Sequence, residues 1–362
     1  MKYIAETLYD LITYNNIPNG VHTYYCSKNN IELDFEIVTY KYPVILSNET
    51  NLYLGNTVAD TQMLILKFEN DLYIENGYIL TPPVRKKGFV IYCNNILNNK
   101  GTISMTARGA NTEGQNLYLY NNEMVPAVGG SPGTRAYYNI YSLSYASNGN
   151  PGINRGTGAG GSGGGGDTVN SIGAYGTSYS GGAGGGGVLG GNNSAAHDGK
   201  PNGGAGGNAY IYSPFYTCSC GGGAGNPGGT PYNYNTTGGK GADGTGGLLV
   251  IFANKLVNNG IISSNGSAGG WAYRCSGGGS GGGSVNIFTK FLLKKGTVEA
   301  KGGTRGEATR GGGEKVYGGN GGNGTVTFTD CNFSIIIKRT NSNYYRDSYY
   351  QEHFDFNKLL EV

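Results

Sequence analysis

The stretch GLLVIFANKLVNNGIISSNG, Gly247 to Gly266, is answered 36 residues later by GSVNIFTKFLLKKGTVEAKG, Gly283 to Gly302, with no gap between the two. A text that restates itself at such a period confines the chain to architectures in which each unit buries its apolar face against the next. An earlier copy, GFVIYCNNILNNKGTISMTARG from Gly88 to Gly109, keeps the same grammar. Each copy has an apolar strand (Val90–Tyr92, Val250–Phe252, Val285–Phe288), a polar step and a leucine (Leu97, Leu256, Leu292). An Asn or Lys pair, a glycine (Gly101, Gly260, Gly296) and a second short strand follow. A partial copy begins at Gly324 and a fainter one spans Leu72 to Ile79. The Asn-Asn-Gly-type joint implies a turn with positive φ at Asn and Gly. Stacking such units places Ile251 beside Ile287 and Leu256 beside Leu292 in ladders. The expected fold is all-β: a parallel β-solenoid or a β-sandwich of equivalent strands, with an antiparallel array of hairpins as the alternative.

Glycine separates the copies. Of 362 residues 69 are glycine, against a usual share of about 7%. No Gly-X-Y period exists, so collagen is excluded. The low charged fraction, 14%, and the 30 tyrosines set the chain apart from disordered segments, which are charged and poor in aromatics. Ordering glycine costs more backbone entropy than ordering any other residue. Polyglycine offsets that cost when three-residue-per-turn helices pack side by side and hydrogen-bond to one another, since no side chain holds them apart. Polyglycine-II-like tracts of this kind are expected in the large insertion 110–246 and in the shorter spacers. A flexible spacer is the competing reading, but spacers are Gly/Ser-rich without this aromatic and Asn content.

Composition divides the chain into a β-rich N-terminal domain (1–85), a glycine-rich repeat domain (86–330) and a C-terminal strand with an aromatic tail (331–362). In the first, Ile31 to Leu46 alternates with period two, the mark of a half-buried strand. Ala5, Leu8, Leu11 and Ile12 fall on one face of a short helix. Ile335 to Lys338 reads as a strand.

The chemistry is sparse. A net charge of +3, with scattered basic residues, gives no nucleic-acid surface. Arg85-Lys86-Lys87 and Lys294-Lys295 read as solvated turns. The N-terminus has no signal-peptide pattern, and no apolar run is long enough to span a membrane. The expected place of synthesis is therefore the cytoplasm. Cys218-Ser219-Cys220, the one close cysteine pair among Cys26, Cys93, Cys218, Cys220, Cys275 and Cys331, lacks the second cluster a metal site needs. Gly158 to Gly163 fits G-x-G-x-x-G without a βαβ context, and Gly241 stands after Gly239-Lys240 where a phosphate loop needs Ser or Thr. His22, His197 and His353 show no ligand spacing, and His197-Asp198 has no serine elbow to serve. Asp167, Asp198, Asp243, Glu299, Glu307 and Glu314 are scattered carboxylates that nothing pairs into a hydrolase site. No cofactor, metal or enzymatic activity is expected.

LVNNGIISSNG followed by GGGSGGGSVNIF resembles the glycine-rich tail and tail-fibre proteins of phages and phage-tail-like particles of low-G+C Gram-positive bacteria, in which such strand units alternate with polyglycine. The glycine tracts are also similar to the polyglycine sandwich of tail-fibre tip adhesins. The resemblance spans Gly88 to Phe328. It implies a virion component at the fibre or baseplate. Such a component attaches to other tail proteins through its N-terminal domain, is assembled as a monomer or homotrimer, and contacts a host glycan, teichoic acid or surface protein. Ring faces stack on sugars and peptides alike, so the candidate ligand-binding residues are the aromatics that interrupt the glycine: Tyr175, Tyr179, Tyr210, Tyr212, Tyr216, Tyr232, Tyr234, Trp271 and Tyr273. The alternatives are a purely structural virion or bacterial surface protein and a tailspike-like glycan hydrolase.

Overall fold

A computed structural model describes residues 1–14, 16–50, 52–59, 62–110, 117–120, 138–139, 142–143, 151, 244–269, 278–309, 315–317 and 319–331. Among the described residues the chain is all-β but for one short helix. β1 (Lys2–Ala5) leads into α1 (Leu8–Tyr14), and β2 (Gly20–Cys26) pairs with β1 in parallel. β3 (Ile31–Tyr40) returns antiparallel to β2. From there the chain winds. A first pass is β3 with β4 (Val44–Leu46), and a second is β5 (Met63–Phe68), β6 (Leu72–Ile74) and β7 (Ile79–Leu80). The third is β8 (Gly88–Asn99) with β9 (Thr102–Ser104). Inside the insertion, β10 (Tyr138–Asn139) pairs antiparallel with β11 (Ser142–Leu143). The fourth pass is β12 (Leu248–Asn258) with β13 (Ile261–Ser263), and the fifth is β14 (Ser284–Lys294) with β15 (Thr297–Glu299). The small hairpin of β16 (Glu307–Thr309) and β17 (Lys315–Tyr317) precedes β18 (Thr325–Asp330), which begins the sixth.

Successive passes pair in parallel. The large sheet runs β1-β2-β3-β5-β8-β12-β14-β18, with β4 and β6 extending it beside the second half of β8. The short strands form their own parallel sheet, in the order β15-β13-β9-β7. The 36-residue spacing in the sequence is the register of β14 on β12 and of β15 on β13, one turn of the winding. Ile91, Ile251 and Ile287 stand in line, as do Leu72, Leu97, Leu256 and Leu292. The expected ladders are therefore present. The hairpin array is not: the two strands of each unit lie in different sheets, so the Asn/Gly joint is a corner rather than a hairpin turn. Only Gly296 among the three corner glycines has positive φ, at 56°. Gly260 is required for proximity instead, because a Cβ there would overlap the Gly101 carbonyl. Buried asparagines bind the corners together. Asn99 Nδ2 donates to Asn258 Oδ1 at 2.8 Å, and Asn258 Nδ2 donates to the Lys295 carbonyl at 2.7 Å.

Both faces of the large sheet are covered. The inner face, with Leu64, Leu66, Phe89, Ile91, Leu249, Ile251 and Ile287, packs against Ile103 and Ile262 of the short-strand sheet. The outer face, with Ile65, Val90, Val250, Phe252 and Phe288, packs under Leu8, Leu11 and Ile12 of α1 and under Leu117 and Leu119. Thr7 starts the helix: its Oγ1 accepts the Asp10 N–H at 3.1 Å and donates to the Asp10 carboxylate at 2.7 Å. The amides of Leu8 and Tyr9 donate to the carbonyls of Tyr118 and Leu119, tying helix to insertion. Ala5, placed on the helix by periodicity, lies in β1 instead. The residues before 86 share both the large sheet and its cores with the repeats.

Lys86 corrects the reading of its basic run as solvated. It is 0% exposed, and its ammonium donates to Asn56 Oδ1 at 2.9 Å and to the Val58 carbonyl at 2.8 Å. Long aliphatic stems pack well in such sites when the charged head finds oxygen partners. Lys294 and Lys295 are exposed, as the turn reading requires.

Candidate functional site

The third side of each pass, from the short strand back to the large sheet, is where the glycine lies. Outgoing legs 105–109, 264–269 and 300–304 leave the short strands, and returning legs 244–247, 278–283 and 319–324 enter the long ones. The returning leg 278–283 decides what these legs are. Gly279 and Gly282 donate to the carbonyls of Gly319 and Gly322 in the next returning leg, at 2.8 and 3.0 Å. Ser280 and Gly283 donate to Ser267 and Ser264 in the outgoing leg of the same pass, at 3.1 and 2.7 Å. The leg also accepts from Gly246, at the Gly281 carbonyl, and from Gly303, at the Ser280 carbonyl. It thus has four bonded neighbours, and donors to any one neighbour recur every third residue. A β-strand sends its main-chain groups to two sides in alternation. A three-residue helix sends them to three, and that is the pattern here. The returning leg 319–324 shows the same period, with Gly321 and Gly324 donating to the carbonyls of Gly303 and Ala300. The outgoing legs begin as strands do, bonding at every second residue: Met105 and Ala107 donate to Ser263 and Asn265, and Ser264 and Gly266 to Glu299 and Lys301.

Glycine is a steric necessity in this layer. A Cβ at Gly282 would fall on the Ala300 carbonyl, and one at Gly321 on the Ser280 carbonyl. The returning legs 244–247 and 278–283 are buried, so their amides need protein partners, and neighbouring legs supply those of Gly246, Gly279, Ser280, Gly282 and Gly283. Serines finish the pattern where the legs meet strands. Ser264 Oγ donates to the Gly247 carbonyl, and Ser267 Oγ accepts the Gly244 amide and donates to the Gly244 carbonyl, both at 2.6 Å.

Every glycine-rich insertion interrupts this side of the winding, and the stems are bonded to each other. Gly244, closing the largest insertion, accepts the Ser267 amide; Gly269, opening the second, donates to Thr304 in the third; Gly279, closing the second, donates to Gly319. Chain leaving the lattice therefore leaves from one end of it. The nine candidate residues Tyr175, Tyr179, Tyr210, Tyr212, Tyr216, Tyr232, Tyr234, Trp271 and Tyr273 all belong to these insertions and lie outside the described residues. One aromatic of the third insertion is described. Tyr317, on β17, has the Arg305 guanidinium over its ring at 4.0 Å, and Lys315 pairs with Glu307 at 2.6 Å across the same hairpin. The signal for Tyr317 was its place in the glycine-rich tract EKVYGGNGGNG.

The carboxylates, histidine and thiols described outside this side belong to the scaffold. Glu299 meets Lys301 and Asn265, and the Lys301 hydrogen bond, then that of Asn265, holds its carboxyl below the usual range. Glu36, buried, accepts from Tyr53 Oη at 2.7 Å, from the Asn56 amide at 2.8 Å and from Gln62 at 3.3 Å. His22 Nε2 lies 2.8 Å from the Pro18 carbonyl, with its ring edge-on to Tyr3. Cys26, Cys93 and Cys331 are free and buried, and desolvation pushes the Cys93 thiol up to about 12. No group of three metal-ligating side chains exists among the described residues. Asp167, Asp198, Asp243, Glu314, His197, His353, Cys218, Cys220, Cys275 and the Gly158–Gly163 stretch fall outside them. Among the described residues no helix is long and apolar enough to cross a membrane.

Against known proteins, the chain matches no family model, no curated sequence and no solved structure.

Proposed function

We propose that this chain is a tail component of a phage or phage-tail-like particle, at the fibre or baseplate, that contacts the host cell surface through the aromatic insertions of its glycine-rich side. The winding is read as a parallel β-solenoid whose third wall is a polyglycine lattice. The observation that carries the reading is the convergence of the insertion stems on that lattice. Stems fixed by main-chain bonds leave less entropy to be lost when the loop tips engage a partner. A scaffold that bonds through its backbone also leaves the tip sequences free to vary. Tyrosine and tryptophan at such tips offer large rigid faces at low entropic cost, which fits a wall glycan, teichoic acid or surface protein. The side of the sheet built by residues 1–85 is then the attachment end toward the rest of the particle.

The test is whole-cell and glycan-array binding by the full chain and by a variant with residues 160–240 replaced by a short Gly/Ser linker. The reading predicts binding by the full chain and at least a tenfold loss in the variant, with the melting transition of the repeats unchanged. Binding that survives the replacement contradicts it, as does a chain that binds no surface in monomeric or trimeric form. Release of sugar from purified wall would instead favour a hydrolase.

A further inference from the structure

The third sides of the first two passes, residues 47–62 and 81–87, hold a single glycine, Gly55. Buried polar side chains join them instead. Lys86, 0% exposed, lies on the second of these legs, where its amide donates to the Arg108 carbonyl. Its Nζ is 2.9 Å from Oδ1 of Asn56 on the first leg and 2.8 Å from the Val58 carbonyl. Asn56 is anchored on both sides of its Cα. Its Oδ1 also accepts the Val58 amide at 3.0 Å, and its own amide donates at 2.8 Å to the buried Glu36 carboxylate.

We propose that Lys86 and Asn56 become covalently joined, by an amide between Lys86 Nζ and the Asn56 side-chain carbonyl carbon. The Nζ–Cγ bond forms and the Cγ–Nδ2 bond breaks. Two of the three protons on the Lys86 ammonium pass to the departing NH2 group, which leaves as an ammonium ion. Atoms and charge balance without a further reactant. The site favours each part of this step. A lysine removed from water is an activated nucleophile. With a carbonyl bond of about 1.2 Å, Cγ lies no more than about 4 Å from the amine. Rotation about the Asn56 Cβ–Cγ bond turns the face of the carbonyl toward it. The Val58 amide on Oδ1 stabilises the charge that develops there during attack. Exchange between a free amine and a free amide is slow, but contact held for the life of the fold makes the reaction intramolecular. The bond ties the third sides of the first two passes to each other, as lateral glycine bonds tie those of the later passes.

Mass spectrometry of the full, denatured chain tests this, whatever the chain binds. The proposal predicts a mass below that of the sequence by one ammonia. It also predicts a branched peptide after digestion, joining Lys86 to Asn56. Asn56→Ala is expected to show its full sequence mass. An unaltered chain at full sequence mass overturns the proposal. So does loss of ammonia without the branched peptide, which assigns the loss to a succinimide at an Asn-Gly pair such as Asn265-Gly266. If the variant fails to fold, the branched peptide in the unaltered chain still decides.

Discussion

At Gly282 the main chain passes so close to Ala300 that a methyl group would fall on the carbonyl oxygen. That carbonyl is itself an acceptor, for the Gly324 amide, so relieving the overlap breaks a lateral bond. Gly282→Ala is expected to destabilise the repeats by about 3 kcal/mol or more, read as a lowered urea midpoint. Asn258 works through its amide: it links Asn99 to the Lys295 corner in a site with no access to water. Asn258→Ala leaves the Lys295 carbonyl and the Asn99 amide each short of a partner, at a cost of about 2 kcal/mol by the same measurement. Glu299 gives a pH signature. Its carboxyl is depressed in the folded chain by Lys301 and then Asn265. Its stabilisation is therefore complete above the unfolded value of about 4.3 and is lost as pH falls through the lower folded value. The melting-temperature difference between the unaltered chain and Glu299→Gln is expected to be constant near neutrality and to vanish in acid. A difference that grows toward acid would refute the assignment.

At the scale of elements, the long strand and the corner hold constant over the passes of β8, β12 and β14, at 12, 11 and 11 residues, and length varies in the third side. Register offsets between neighbouring long strands are 25 residues for β5 on β8 and 36 for β12 on β14, and 41 for β14 on β18. Between β8, β12 and β14 the strands keep their length, and the glycine legs with their insertions absorb the difference. Lengthening the chain between Gly269 and Gly278 with additional Gly/Ser residues is therefore expected to shift the melting temperature by no more than a few degrees, because closure cost grows only slowly with length. The same insertion placed between Gly260 and Ile261 interrupts the corner and is expected to abolish the cooperative transition. This division explains what could be read from sequence. Ile251, Leu256, Ile287 and Leu292 were legible as ladders because a repeat with no gap fixes the register. The passes through β3–β4 and β5–β7 were legible only as an alternating strand, Ile31 to Leu46, and a faint copy, Leu72 to Ile79, since they lack glycine legs and break the long strand in two. The burial of Lys86 was hidden because its oxygen partners, Asn56 and Val58, lie some thirty residues upstream. Leu117 and Leu119, which cover the outer face of the large sheet, sit inside the insertion and carried no periodic signal. The nine aromatic candidates were legible only as a composition.

For the whole molecule, two kinds of cohesion lie side by side. The sheets are held by apolar side chains in register, each fully buried Leu or Ile contributing about 1.5–3 kcal/mol. The glycine layer is held by its backbone, with the returning legs 278–283 and 319–324 bonded to their neighbours at a period of three. The account stands on that second kind. The most direct measurement is hydrogen exchange at Gly279, Ser280, Gly282, Gly283, Gly321 and Gly324 in the full chain, set beside Ile251 and Ile287. If the legs are laterally bonded, these amides exchange as slowly as those of the strands and open with them in one step. If they exchange at the rate of an unprotected chain while Ile251 and Ile287 remain protected, the glycine layer is a set of loose connections and the rigid platform does not exist.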